Sequence, residues 1–260
     1  MPQDIKGKSV LITGAGAGIG RECALEFARL GAKVAVVDMN EQAAGAVVDE
    51  VRALGAEGLP VVCNITDETQ VEAMVKTVVD AWGSLDCAFN NAGIGADGVR
   101  IPYGELVDTD LSVWQKVFAV NMTGTFLCVK HELKQMIAQG SGSIVNSGSI
   151  GGLKMAPTFG PYGPSKAGVI ALTQLAALEA APHGVRVNVV CPGPTDDTTL
   201  MANSSATHEG EKEALVEHVI PMKKLAKPLD IARAVVWLSS EMSGHTTGQS
   251  LSVDGGMHVA

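Results

Sequence analysis

The chain has two tyrosines, and one of them, Tyr162, stands four residues before Lys166 in the stretch GPYGPSK. Four residues is about one helical turn, so on a helix the phenol and the ammonium share a face. A phenol titrates near 10 in water and is a poor base at neutral pH. An ammonium about 4 Å away, at an effective dielectric of about 20, is worth roughly 4 kcal/mol, or about three pKa units. That brings the phenolate within reach, and the pair becomes an oxygen acid/base. Pro164 suits the first turn of such a helix, where its missing N–H costs nothing. A buried tyrosine with a lysine reaching past it to water has the same spacing, so the neighbours must decide.

One neighbour is a glycine-rich loop. VLITGAGAGIGREC sets Gly14, Gly16, Gly18 and Gly20 between a β-rich run and a helical pattern. Such a turn lets backbone approach a pyrophosphate while the helix N-terminus presents free N–H groups. Tight turns also need glycine for steric reasons alone. Asp38 ends the next strand-like run, KVAVVD, where a carboxylate accepts ribose hydroxyls and repels a 2′-phosphate. Aspartate is equally common as a helix N-cap. Loop and acid together, in a β-α-β setting, point to dinucleotide binding, and the absence of a nearby arginine favours NAD over NADP.

The elements that must carry these residues alternate along the chain. KSVLITG (8–14), KVAVVD (33–38), LPVVCNI (59–65), LDCAFNN (85–91), GSIVNSGS (142–149), VRVNVVCPG (185–193) and GQSLSVDGG (248–256) read as strands. Amphipathic stretches separate them, the longest being 111–140. Runs apolar on both faces imply a parallel sheet covered on both sides. The expected fold is α/β, a doubly wound, Rossmann-type sheet of about seven strands. Residues 1–260 are expected to form one domain, with a substrate lid at about 194–227, the only long stretch without clear period.

Composition narrows the function classes. The formal net charge is −9, with 46% hydrophobic and 18% charged residues among 260. An acidic balance disfavours nucleic acid, which needs a basic footprint. No apolar run is long enough to span a bilayer, and no basic and apolar leader opens the chain. The five cysteines are scattered without CxxC spacing and the six histidines are dispersed. This predicts reduced, buried thiols, a cytoplasmic setting and no metal site.

Taken in order, the motifs resemble the short-chain dehydrogenase/reductase family, in its single-domain branch. TGAGAGIG (13–20) is similar to the family's TGxxxGxG loop; NNAG (90–93), VNMTG (120–124), YGPSK (162–166), CPGP (191–194) and VDGG (253–256) follow in family order. Ser149 precedes Tyr162 by the family's usual interval. The resemblance implies catalytic roles for Asn121, Ser149, Tyr162 and Lys166. Tyr162 would be the acid/base, and Lys166 would bind the nicotinamide ribose and lower the tyrosine pKa. Ser149 would bond the substrate oxygen, while Asn121 would shape a helix kink and hold a water leading from Lys166 to solvent. The cofactor, NAD, would meet Gly14, Gly18, Ile19, Gly20, Asp38, Met39, Asn64, Ile65, Asn91, Ala92 and Gly93. On the nicotinamide side it would meet Tyr162, Lys166, Pro192, Gly193 and Thr195. The family commonly has aspartate where Asn64 stands; an asparagine can still accept from the adenine amino group through its carbonyl. The family often has threonine where Asp197 stands, with Thr198 following here.

The substrate pocket is expected around Ser149, Gly151, Phe159, Tyr162, Pro194 and Leu200. Leu153, Met155, Pro157 and Phe159 offer an apolar wall, and no arginine occurs between Pro194 and Pro228 to clamp an anion. A neutral, medium-sized, cyclic or aromatic alcohol or ketone fits. A 3-oxoacyl-[acyl-carrier-protein] reductase is the alternative within the family, against which Asp38 argues because such reductases typically use NADPH. A cofactor-sensing protein without catalysis is the alternative outside the enzymes, and it predicts damage to Ser149, Tyr162 or Lys166. The resemblance also implies a homotetramer.

Overall fold

The computed structural model describes residues 3–95, 105–157, 159–198, 201 and 210–260. Short apolar runs become seven strands: β1 (Ser9–Thr13), β2 (Lys33–Asp38), β3 (Gly58–Val62), β4 (Cys87–Asn90), β5 (Gly142–Ser147), β6 (Val185–Pro192) and β7 (Ser250–Val253). Of these, β3 and β7 at the sheet edges are only partly buried. All pair in parallel, in the order β3-β2-β1-β4-β5-β6-β7. One face is covered by α1 (Gly18–Arg29), α2 (Glu41–Ala53) and the helix Pro228–Ser239, which share a core with Val10, Ile12, Val34 and Val36. The other is covered by α3 (Glu68–Trp82), α5 (Thr125–Gln139) and α7 (Tyr162–Ala180), around Leu11, Ala35, Ala88 and Ile144. This is a single, doubly wound Rossmann-type domain. The strand order reverses between β1 and β4, which opens a crevice at their carboxyl ends.

Helix starts show what the crevice is built for. Asn40 caps α2 by accepting from Ala43 N, and Asp67 caps α3 by accepting from Thr69 N and Gln70 N. Ala17, ahead of α1, has no side-chain oxygen to offer. The first N–H groups of α1 are left for another partner, and they open onto the crevice.

The sequence reads 111–140 as one helical stretch, but the chain divides it. α4 (Leu111–Phe118) leads into a π turn at Ala119–Gly124, and α5 follows. The short α6 (Ile150–Leu153) precedes α7, which begins at Tyr162 and so takes Pro164 into its first turn. The ends of the segment expected as a lid are tied together: Asp196 N donates to Ala226 O at 2.8 Å and Ala226 N to Pro194 O at 3.1 Å. Between them lies a helix at Glu211–His218. Leu200, expected in the pocket, lies outside the described residues. The five cysteines are buried and unbridged. No described helix is long and apolar enough to cross a membrane.

Candidate active site

The glycine loop turns on positive φ at Gly14 (+61°) and Gly18 (+54°). A Cβ on Gly20 would lie 2.3 Å from Gly14 O, so any side chain there breaks the turn. The neighbouring strand holds the loop from below. Asn91 Nδ2 donates to Thr13 O (3.1 Å) and Gly14 O (3.0 Å), and Thr13 Oγ1 accepts from Asn91 N and Ala92 N. Both hydrogens of the Asn91 Nδ2 are thus used inside the protein.

Asp38 stands across the loop. Its Oδ2 accepts from Gly16 N and its Oδ1 from Asn40 N, each at 2.9 Å. Two backbone amides fix the carboxylate at the tip of β2, beside the exposed Met39. Asn64 departs from expectation. Its Oδ1 accepts from Thr66 N (3.1 Å) and Thr66 Oγ1 (2.9 Å), which uses both acceptor positions. What Asn64 has left to present is the Nδ2 donor. The neighbouring Ile65 is buried against the π turn; a Cβ on Gly124 would lie 2.7 Å from its Cδ1.

The π turn carries Asn121, fully buried. Its Oδ1 accepts from Ile94 N (2.8 Å), and its Nδ2 donates to Ile94 O (3.0 Å) and Ser165 Oγ (3.1 Å). Ser165 Oγ donates in turn to Tyr162 O at 2.7 Å. Asn121 therefore fixes the first turn of α7 to the chain leaving β4. An ordinary helix would aim this residue elsewhere, and π turns recur at functional positions for this reason.

Tyr162, Lys166 and Ser149 come together at the carboxyl ends of β5 and β6, exposed by 6%, 4% and 9%. The Ser149 side chain faces the Tyr162 phenol and acts to lower its pKa. Ser149 Oγ also accepts from Gly151 N at 3.1 Å, capping α6. Lys166 Nζ donates to Ser147 O at 2.8 Å and lies 5.9 Å from the Tyr162 ring centre. A Cβ on Gly93 would lie 3.2 Å from that Nζ, so Gly93 keeps the approach open.

Here the structure corrects the electrostatic expectation. Burial raises the Tyr162 pKa above its usual value, opposed by the Ser149 side chain. Burial also pushes Lys166 down, to about 8, opposed by the field of Cys191. The ammonium is committed to a carbonyl rather than to the phenol, and desolvation outweighs its pull. Both groups move toward their neutral forms.

The chain is similar to proteins of known sequence and structure. A family model described as enoyl-(acyl carrier protein) reductase matches residues 14–258. The 2,5-dichloro-2,5-cyclohexadiene-1,4-diol dehydrogenase of Sphingobium indicum is 37% identical over 254 residues, 97% of this chain and 98% of that one. The 3-oxoacyl-[acyl-carrier-protein] reductase of Staphylococcus aureus is 38% identical over 253 residues, covering 97% and 98%. A crystal structure of NAD+-bound xylitol dehydrogenase superposes with a TM-score of 0.89 at 33% identity, covering 97% of this chain and 99% of that one. The chain belongs to the short-chain dehydrogenase/reductase family. It is an oxidoreductase of that family, whose members use nicotinamide cofactors.

Against the family's pattern, the far wall of the site holds two surprises. Gly193 packs so closely that a Cβ would lie 2.7 Å from Asp254 Cα, which seats the CPGP turn directly on the VDGG segment. Thr195 is buried with its hydroxyl turned back onto Gly193 O at 2.9 Å. Asp197 takes a left-handed φ of +54°, which swings Thr198 over the glycine loop, 3.7 Å from where a Gly18 Cβ would be. Thr198 is thus the residue that meets the loop. Sequence spacing puts Asp197 at the family's threonine position, and only the left-handed turn shows the shift. On the substrate side, the Phe159 ring stands 3.0 Å from a Cβ placed on Gly151, which itself would be 3.4 Å from Ser149 Oγ. Pro192 and Pro194 line the same edge, half-buried.

A cavity of about 800 Å³ lies at the opposite, amino-terminal end of the sheet, lined by Lys8, Asp86 and Arg186 among others. It holds none of the residues above. Arg186 is already bonded there to Leu238 O, Ser240 O, Ser243 Oγ and Thr246 O, closing the loop after the helix Pro228–Ser239.

Proposed function

We propose that the protein is an NAD-dependent dehydrogenase/reductase that interconverts a neutral cyclic secondary alcohol and its ketone. The observation that carries this is the buried Ser149–Tyr162–Lys166 cluster, at one end of a crevice whose other end holds Asp38 fixed by two backbone amides. The residues fit a dinucleotide. Uncapped N–H groups of α1 and a loop without room for a Cβ at Gly14, Gly16 and Gly20 suit a pyrophosphate, and the Asp38 carboxylate suits ribose hydroxyls while repelling a 2′-phosphate.

Bound nicotinamide supplies the hydride acceptor or donor. The protein supplies the proton path. Tyr162 takes the hydroxyl proton of the alcohol, or returns it to the ketone oxygen, and Ser149 Oγ–H donates to the same oxygen as charge develops on it. Lys166, pushed down to about 8, receives and releases a proton at ordinary pH. The Phe159 wall and the arginine-free segment 194–228 favour a substrate with little charge. The cyclic diol named for the Sphingobium relative is of the same class.

The test is a panel of cyclic alcohols, cyclic ketones, acyl thioesters and sugar phosphates, each with both nicotinamide dinucleotides, followed at the reduced-nicotinamide absorbance. Turnover of neutral cyclic substrates with higher kcat/KM for NAD supports the reading. Activity confined to acyl thioesters with NADPH would make the protein an acyl-carrier reductase and sink this proposal.

A further inference from the structure

Behind the active site runs a buried chain of polar side chains that has a direction. Thr173 on α7 gives its hydroxyl proton to Val169 O at 2.8 Å, so it accepts from Asn146 Nδ2 at 2.9 Å. Asn146 therefore turns its carbonyl oxygen to Asn90. Asn90 Nδ2 donates to that oxygen at 3.0 Å and to Glu132 Oε2 at 2.8 Å. Both hydrogens of the Asn90 amide are then used. Its Oδ1 has no donor, and Oε1 of Glu132 has no partner either. Glu132 and Asn146 are fully buried and Asn90 nearly so. Two orphaned acceptors on two groups already in contact carry a large desolvation cost. One proton between them removes both.

Among the described residues, no cation acts on the Glu132 carboxyl to stabilise a carboxylate. Burial pushes Glu132 up to about 7, opposed only by the Asn90 hydrogen bond. From its own helix the ionisable neighbour is the buried thiol of Cys128. On α3, Glu68 and Glu72 are paired with Lys130, His131 and Lys134 of α5. From α7, Lys166 is turned to Ser147 O, while β4 and β5 present Asn90 and Asn146.

We propose that Glu132 is a neutral carboxylic acid in the working protein, its Oε1–H donated to Asn90 Oδ1, and that this two-bond ring positions the carboxyl ends of β4 and β5 beneath the active site. Asn90 directly precedes Asn91, which clamps the glycine loop, and Asn146 directly precedes Ser147, whose carbonyl holds Lys166. Glu132 touches neither substrate nor cofactor; it is a positioning residue.

Three measurements test it. The infrared spectrum of the wild-type protein near pH 6 should contain a neutral carboxylic acid band that E132Q lacks. Glutamine carries its donor at every pH, so thermal denaturation separates the variants by sign. A carboxyl whose folded pKa is raised contributes stability that is full below about 4.5 and lost as pH rises through about 7. Between about pH 5 and pH 8, Tm of the wild type relative to E132Q should therefore fall by at least about 3 °C. For positioning, E132Q should bind the preferred reduced nicotinamide nucleotide like the wild type at low pH, whereas E132L, able neither to donate nor to accept, should bind it several-fold more weakly. Absence of the acid band with parallel Tm profiles would mean an ionised carboxylate bridged by an internal water and would overturn the proton. Equal nucleotide affinity in E132Q and E132L would overturn the positioning role. Should E132L not fold, a wild-type affinity that weakens toward high pH more than that of E132Q upholds the role, and parallel affinity profiles overturn it.

Discussion

Tyr162 and Lys166 illustrate how a residue's chemistry depends on more than its partner. Their helical spacing makes them neighbours, but burial governs both, raising the phenol and lowering the ammonium. Tyr162 is thus held as a phenol at neutral pH. In the proposed reaction that form would protonate the ketone oxygen, and its use as a base would depend on charge introduced by the bound cofactor and by Lys166. The Tyr162→Phe variant should fold and bind cofactor yet lose at least about 10²-fold in kcat; near-normal turnover would refute the assignment. Lys166→Met removes the positive charge that favours phenolate. The limb of the pH–rate profile for alcohol oxidation, which belongs to the pair jointly, should then move to higher pH. A limb that stays in place would show that Lys166 does not tune the tyrosine.

At the scale of elements, the π turn at Ala119–Gly124 decides the geometry of the site. It directs the Asn121 amide at three partners from two other elements: the N–H and C=O of Ile94, and Ser165 at the start of α7. A substitution such as Asn121→Ala leaves the Ile94 amide groups without their partner in a largely dry region. That should cost about 1–3 kcal/mol of stability, read from denaturant unfolding. It should also lower kcat more than KM, because the first turn of α7, which begins at Tyr162, loses its tether. A rise in KM with kcat unchanged would show that the turn serves binding and not the acid/base.

The whole molecule places the two halves of the site on opposite sides of the strand-order reversal. β1 and β2 carry the glycine loop and Asp38; β4, β5 and β6 lead to Gly93, Ser149 and Pro192. A dinucleotide spanning the crevice ties the halves together and stabilises the fold by mass action. At about one hundred times Kd, NAD should add about 2.7 kcal/mol. For a chain of this size that is a rise in Tm of roughly 5–10 °C. NADP at equal concentration should raise Tm less, and Asp38→Ser should narrow the difference. An equal rise with both in the wild type would show that Asp38 does not set the preference. The end of the chain closes over the same region: Met222 N donates to Gly255 O at 3.1 Å, and Lys154 Nζ to Ala260 O at 2.6 Å.

Seven strands and most helices are legible along the chain because each rests on local pattern, whereas Ser149 and Asn121 join Tyr162 and Lys166 only through the resemblance to a family. Short runs apolar on both faces, alternating with helices, point to a parallel sheet covered on both sides, and glycines with a following acid can be read without knowing what packs against them. Tertiary structure alone decided what distance and burial control. The helix period of 111–140 shows no break, because the π turn is driven by the packing of Gly124 on Ile65 and the bonding of Asn121 to Ile94. The Nδ2 of Asn91 and the Oδ1 of Asn64 look available for a ligand until they are seen bonded within the protein. Thr198 replaces Asp197 over the glycine loop through one left-handed residue. Glu132 reads as a polar position on a helix, and only its desolvation and the direction of the chain from Val169 to Asn90 give its carboxyl a proton to hold. Pattern along a chain reports which faces are apolar; it carries no record of which polar groups face each other across the core.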